Sequence, residues 1–201
     1  MGLWPTSWET NERAVRLHEQ SLALAREFAT TFGIAWSLRA LADAVRGQGD
    51  FERARMLLEE GLALSRGKDH AWGIARTLAS LASVACEAGE YARASRLYKE
   101  SLELGWRMGQ NLTILRCLEG LSRLAVAQGK MERAARLCGA AAALREDKGW
   151  PLPPVKHAEH DRTVAAAREA LGEEAFAAAW ARGHALPLEG VIRDTLLGNG
   201  A

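Results

Sequence analysis

Few side chains in this sequence stand at spacings that chemistry uses. His157 and His160 are one helical turn apart beside Glu159 and Asp161, and an i, i+3 pair on a helix can turn two imidazoles toward one metal ion. A zinc site needs further ligands, and no other cluster of ligating residues lies nearby in sequence. Polar residues at a helix start are ordinarily solvated, so no metal is expected. The stretches Arg46-Gly47-Gln48-Gly49-Asp50 and Ser65-Arg66-Gly67-Lys68-Asp69 have the glycines of a phosphate loop. Neither has the Gly-x-x-x-x-Gly-Lys-Ser/Thr spacing and neither follows a strand, so both read as turns that end helices. Cys86, Cys117 and Cys138 form no close pair, and no Ser/His/Asp or Cys/His set is suggested. These residues point to no enzyme activity and to no cofactor.

Composition narrows the class further. The chain has 201 residues, 48% apolar and 25% charged, and Ala and Leu carry the apolar share more than Val, Ile and Phe. That bias favours helix, because β-branched side chains lose rotamer freedom there. A formal net charge of +1 gives no general pull toward nucleic acid or a membrane surface. No stretch approaches the roughly 20 apolar residues that span a bilayer. The odd cysteine count and the lack of a signal-peptide pattern point to a reducing, cytoplasmic setting.

Sliding the sequence along itself reveals a 40-residue period. Residues 31–70, 71–110 and 111–150 align without gaps. Down the columns run Ile34, Ile74 and Ile114; Leu38, Leu78 and Leu118; Leu41, Leu81 and Leu121; Gly49, Gly89 and Gly129; Ala54, Ala94 and Ala134; Leu57, Leu97 and Leu137; and Leu64, Leu104 and Leu144. Apolar residues follow the 3, 4 spacing of one helix face on both sides of each glycine. The unit is therefore a helix, a glycine turn and an antiparallel helix. The recurring alanine marks a close helix crossing, and neither helix can bury its apolar face without a neighbouring unit.

Residues 11–30 align with 51–70, placing Ala14, Leu17, Leu22 and Leu24 in core columns of a second helix whose first helix is missing. His18 falls in the column of Leu58, Tyr98 and Cys138 and is expected in the core. Trp4, Pro5 and Trp8 are too few to replace a helix, although the two tryptophans could fold back over this end. Such an uncovered side suggests excision from a larger protein, or a homodimer through residues 1–30. After the third unit Pro151, Pro153 and Pro154 break the pattern. Helices are predicted from Pro154 to Leu171, from Glu173 to about Arg182 and from Leu188 to Leu197. The expected organisation is an array of about three and a half repeats over 1–150, followed by capping helices over 151–201.

The seven tryptophans do not share one column. Trp72 aligns with Phe32 and Leu112 and reads as core between repeats, while Trp150 and Trp180 read as anchors of the cap. Trp36 differs, because its column holds Arg76 and Arg116, and a residue there faces outward.

The unit resembles the tetratricopeptide repeat. The second helices carry that family's marks at Gly49, Phe51, Ala54, Leu58, Gly61 and Leu62, at Gly89, Tyr91, Ala94, Tyr98, Ser101 and Leu102, and at Gly129, Met131, Ala134, Cys138, Ala141 and Ala142. Two features depart from it: the period is 40 rather than 34, and the proline that usually ends the second helix is absent. The stretch MERAARLCGAAAALREDKGWPLPP, with AREALGEEAFAAAWARGHALPLEGVI after it, resembles the C-terminal sensor region of bacterial signal-transduction ATPase regulators of the LuxR or MalT type. The resemblance implies an all-α fold, an α-α superhelix with a helical cap. It also implies a non-catalytic binding or scaffold segment of a larger bacterial signalling or transcription regulator.

In the family the first helices line the concave face. Carried across, those groove positions are Trp36, Arg39, Asp43 and Arg46; Arg76, Ala79, Ser83 and Glu87; and Arg116, Glu119, Arg123 and Ala127. Five arginines against three acids, with one aromatic, suit a protein or peptide partner or a small anionic effector, since guanidinium groups fork onto carboxylates and phosphates. The plainer reading is i, i+4 pairing on solvated helices, as between Arg39 and Asp43. A stand-alone helical-repeat enzyme and a nucleic-acid-binding solenoid are the rival functions. The first lacks a motif and the second lacks positive charge.

Overall fold

In the computed structural model the described residues are 7–28, 31–68 and 70–198. They form α1 (Ser7–Glu27), α2 (Thr31–Arg46), α3 (Phe51–Arg66), α4 (Ala71–Glu87), α5 (Tyr91–Arg107), α6 (Asn111–Ala127), α7 (Met131–Lys148), α8 (Pro154–Leu171), α9 (Glu173–Ala185) and α10 (Leu188–Leu197), with no strand among them. The fold is all-α, in a tetratricopeptide-like repeat arrangement. None of these helices is long and apolar enough to cross a membrane.

The period becomes geometry at the turns. Gly49, Gly89 and Gly129 have φ of 84°, 80° and 74°, a conformation that only glycine adopts without strain. Each N–H closes its turn onto the helix before it, Gly49 to the Arg46 carbonyl at 2.9 Å and Gly129 to that of Val126 at 2.9 Å. The alanine column follows directly: Ala54, Ala94 and Ala134 have no exposed surface. A second small column sets the contact between one repeat and the next. Ser21 on α1 bonds Ser37 on α2 at 3.2 Å, and Cys117 on α6 donates to Ser101 on α5 at 3.2 Å. Both pairs are 16 residues apart. Gly61 stands between them in the column, and a Cβ there would lie 3.6 Å from the Ala35 carbonyl oxygen of its own repeat.

The chain divides into two compact units, to Glu90 and from Tyr91. In the first, α2 packs on α1, α3 and α4, and its core holds Leu38, Leu41, Ala42 and Val45 with Ala54, Leu58, Leu78 and Leu81. The sequence expectation for α1 needs correction. Leu22 is buried, but Leu17 and Leu24 are 53% and 54% exposed, and Ala14 and His18 are only half-buried. Leu17 and Leu24 are seven residues apart, two turns along one side of the helix that α2 does not cover. Val15 and Leu22 face the core instead. The helix starts at Ser7, earlier than expected; Trp4, Pro5 and the Trp8 side chain lie outside the described residues.

In the second unit α6 and α7 form the third repeat, α5 of the repeat before it packs on α6, and the tail helices α8 and α9 pack on α7. Proline sits in the first turn of α8 and Gly172, at φ 78°, ends it. Phe176 and Ala179 of α9 bury against Ala125, Ala134 and Ala135, with Trp180 packed alongside. The α7–α9 contact is backbone to backbone. A Cβ on Gly183 would stand 1.9 Å from the Arg136 carbonyl oxygen, and one on Gly139 would stand 2.2 Å from that of Trp180.

Candidate functional site

The outward stripe of the first unit begins one turn earlier than the expected groove. Position 32 is four residues before 36, and 72 four before 76, so each pair lies on one helix face. Trp72 packs between repeats as expected, but half-buried at the rim rather than in the core. Its ring stacks on Phe32, 5.9 Å between centroids, and both meet the His70 ring edge-on at 5.8 and 5.4 Å. The Arg76 guanidinium lies over the Trp72 ring, 4.5 Å from its centroid. Trp36 is 44% exposed, with the Arg39 guanidinium 5.8 Å from its ring. His70 is fixed by its role as N-cap of α4, where Nδ1 accepts the Gly73 N–H at 3.2 Å.

These side chains enclose a shallow cleft of about 20 Å³, whose walls include Ser65 and Thr77. Ser65 is 2% exposed and its hydroxyl has no hydrogen-bond partner among the described residues. A cleft of this size holds one water-sized polar group. It therefore suits the tip of a side chain rather than a whole ligand.

Much of the expected basic charge is used internally. Arg39 is 7% exposed and pairs with Asp43 at 3.3 Å, which the Ser80 hydroxyl also approaches at 3.4 Å. Arg46 pairs with Glu87, tying α2 to α4. The Ser83 hydroxyl bonds the Ala79 carbonyl of its own helix at 3.2 Å, and Ala79 is buried. In the second unit Glu119 pairs with Arg145 of α7, and Arg123 pairs with Glu159 of α8 and reaches the Tyr98 hydroxyl at 3.4 Å. Glu119 and Arg123 are thus not open groove residues. The cap helix lies over them, because α8 packs on α6 as well as α7. Arg116 remains half-buried and Ala127 exposed. The plainer reading of paired arginines holds for Arg39, Arg46 and Arg123. Arg76 is in addition held against an aromatic face.

His157 bonds the Leu152 carbonyl at 3.1 Å, and His160 lines a small niche with Lys156 and Glu159. Among the described residues no group of three or more His, Cys, Asp or Glu is placed to hold a metal ion. The buried thiols are inert by environment. Burial pushes Cys117 up to about 12, against a smaller opposing effect of the Ser101 hydrogen bond, and raises Cys138 as well.

Comparison with known proteins agrees with this class of helical repeat. Residues 9–67 and 74–107 match family models described as tetratricopeptide repeat, so these segments are tetratricopeptide repeats. No curated protein matches the sequence. Among solved structures, the fold is similar to BtubC (BKLC) from P. vanneervenii, with a TM-score of 0.65 at 20% identity over 94% of this chain and 75% of that one. It is also similar to a Podosopora anserina kinesin light chain of nearly identical TPR-like repeats, with a TM-score of 0.55 at 18% identity over 92% of this chain and 87% of that one. At such identities the likeness is one of fold. Tetratricopeptide repeats suggest a protein-interaction scaffold.

Proposed function

We propose that the chain is a non-catalytic interaction module that captures an acidic side chain of a peptide or partner domain at the aromatic cleft of the first unit. The observation that carries this reading is the Phe32–Trp72 stack with Arg76 over the Trp72 ring, beside exposed Trp36 and the unbonded hydroxyl of Ser65. Exposed tryptophan with arginine is the composition of binding hot spots. A carboxylate reaching the cleft would meet a guanidinium and a hydroxyl donor while its apolar stem lies on the aromatic faces. A small anionic effector shares this chemistry but would find little enclosure in so shallow a cleft.

The biological setting in this reading is the sensor or protein-interaction segment of a larger bacterial signalling or transcription regulator, working in the cytoplasm. The tail sequence after residue 131 supports it, and an ATPase domain encoded upstream in the same reading frame would test it. Binding is tested by selecting displayed peptides on the protein. Selected peptides should be rich in Asp and Glu, and Trp72→Ala and Arg76→Glu should each weaken them about tenfold with little change in melting temperature. Selection of peptides without acidic residues, or binding indifferent to both changes, would place the site elsewhere.

A further inference from the structure

A cavity in the second unit shares no residue with the aromatic cleft. It opens between α7, α9 and α10 and measures about 440 Å³, within the ~300–1,000 Å³ common for small-molecule sites. The glycine contact at Gly183 holds α7 and α9 together at its inner end. Beyond that point the Leu186–Pro187 turn swings α10 back onto α7 and α5, leaving a gap that no side chain fills. Leu137, Ala140, Leu186 and Val191 make its walls apolar.

Its polar groups are mostly of one sign. Arg133 and Arg136 on α7 and Arg182 on α9 line it, against Asp194 alone. Arg182 is committed to Glu132 at 2.6 Å. Arg133 is half-buried, and burial followed by the neighbouring charge of Arg136 lowers its pKa. With three arginines and one aspartate in the lining, an anion in the cavity meets net positive charge.

We propose that this cavity is a binding site for a small amphipathic carboxylate, its apolar body between α7 and α10 and its carboxylate on Arg133 and Arg136. A ten-carbon fatty acid is a ligand of the small-molecule class that a cavity of this volume takes. An acid of this kind is the occupant because the walls offer hydrocarbon contact and the rim offers paired guanidinium forks. The site stands independently of the aromatic cleft, so either reading can fail alone.

The test is calorimetric titration of the full chain with decanoate, with decanol as a neutral counterpart, both below their aggregation limits. Decanoate should bind saturably with one site, and more tightly than decanol. Arg136→Gln should weaken decanoate about tenfold and leave decanol unchanged. Ala140→Trp, which fills the cavity, should abolish binding of both. Leu186→Trp, at the more exposed wall, gives the same block if Ala140→Trp fails to fold. Absence of saturable decanoate binding, equal affinity for decanol, or binding that survives both tryptophan substitutions would overturn the assignment.

Discussion

Gly183→Ala tests the packing on which the second unit depends. The new Cβ would stand 1.9 Å from the Arg136 carbonyl oxygen and 2.7 Å from its carbon, where ordinary contact begins at 3.4 Å. Neither atom belongs to a flexible side chain, so α9 must withdraw from α7 by about 1.5 Å, the difference between 3.4 and 1.9. A gap of even ~0.5–1 Å forfeits a quarter to a half of each dispersion contact along the interface. The residues that would lose contact are Phe176 and Ala179 against Ala134 and Ala135. Overpacking costs about 1–3 kcal/mol, and a backbone clash belongs at the top of that range. Alanine returns about 1 kcal/mol of helix propensity. The expected net loss is about 2 kcal/mol, a fall in melting temperature of about 4–8 °C for a chain of this size. Thermal and urea unfolding followed by circular dichroism measure it. Gly190→Ala is the control, because its Cβ would meet only the Leu186 side chain, at 3.2 Å, so that change should be neutral or stabilising. A Gly183→Ala protein as stable as wild type would refute the close α7–α9 approach.

Three other perturbations separate core from surface. Ala94→Leu, at a fully buried helix crossing, should destabilise by roughly 1–3 kcal/mol, and a denaturant melt unchanged from wild type would mean that the alanine column does not mark that crossing. The uncovered side of α1 exposes Leu17, Leu24 and Phe28, and self-association through this helix should appear in light scattering and be lost in Leu17→Glu; a wild type that stays monomeric at high concentration refutes it. Cys117 should resist iodoacetamide at neutral pH and react once the protein is unfolded, with Cys86 reacting first; because its pKa is raised in the fold, the stability it contributes is present below about pH 9 and is lost as pH rises toward about 12.

What the sequence determined by itself is what repeats. Helix, turn and helix recur because glycine at 49, 89 and 129 and alanine at 54, 94 and 134 meet a local need at each turn and crossing, and local needs write themselves into a fixed period. The cap helices were legible for a similar reason: proline opens α8 and glycine closes it. Groove positions were legible as a helix face, but not what their charges do. Whether an arginine stays open depends on which carboxylate another helix brings to it, and Glu159 reaches Arg123 only because α8 lies over α6. That Trp72 packs between repeats was legible in its column, but not that it stops half-buried at the rim, because column alignment gives a period and not a depth. Leu17 and Leu24 share their columns with less exposed leucines, and no described neighbour covers them. The α7–α10 cavity left no sequence signal, since it arises from the angle at which α10 returns after Pro187, and that angle is set by packing between residues more than forty positions apart.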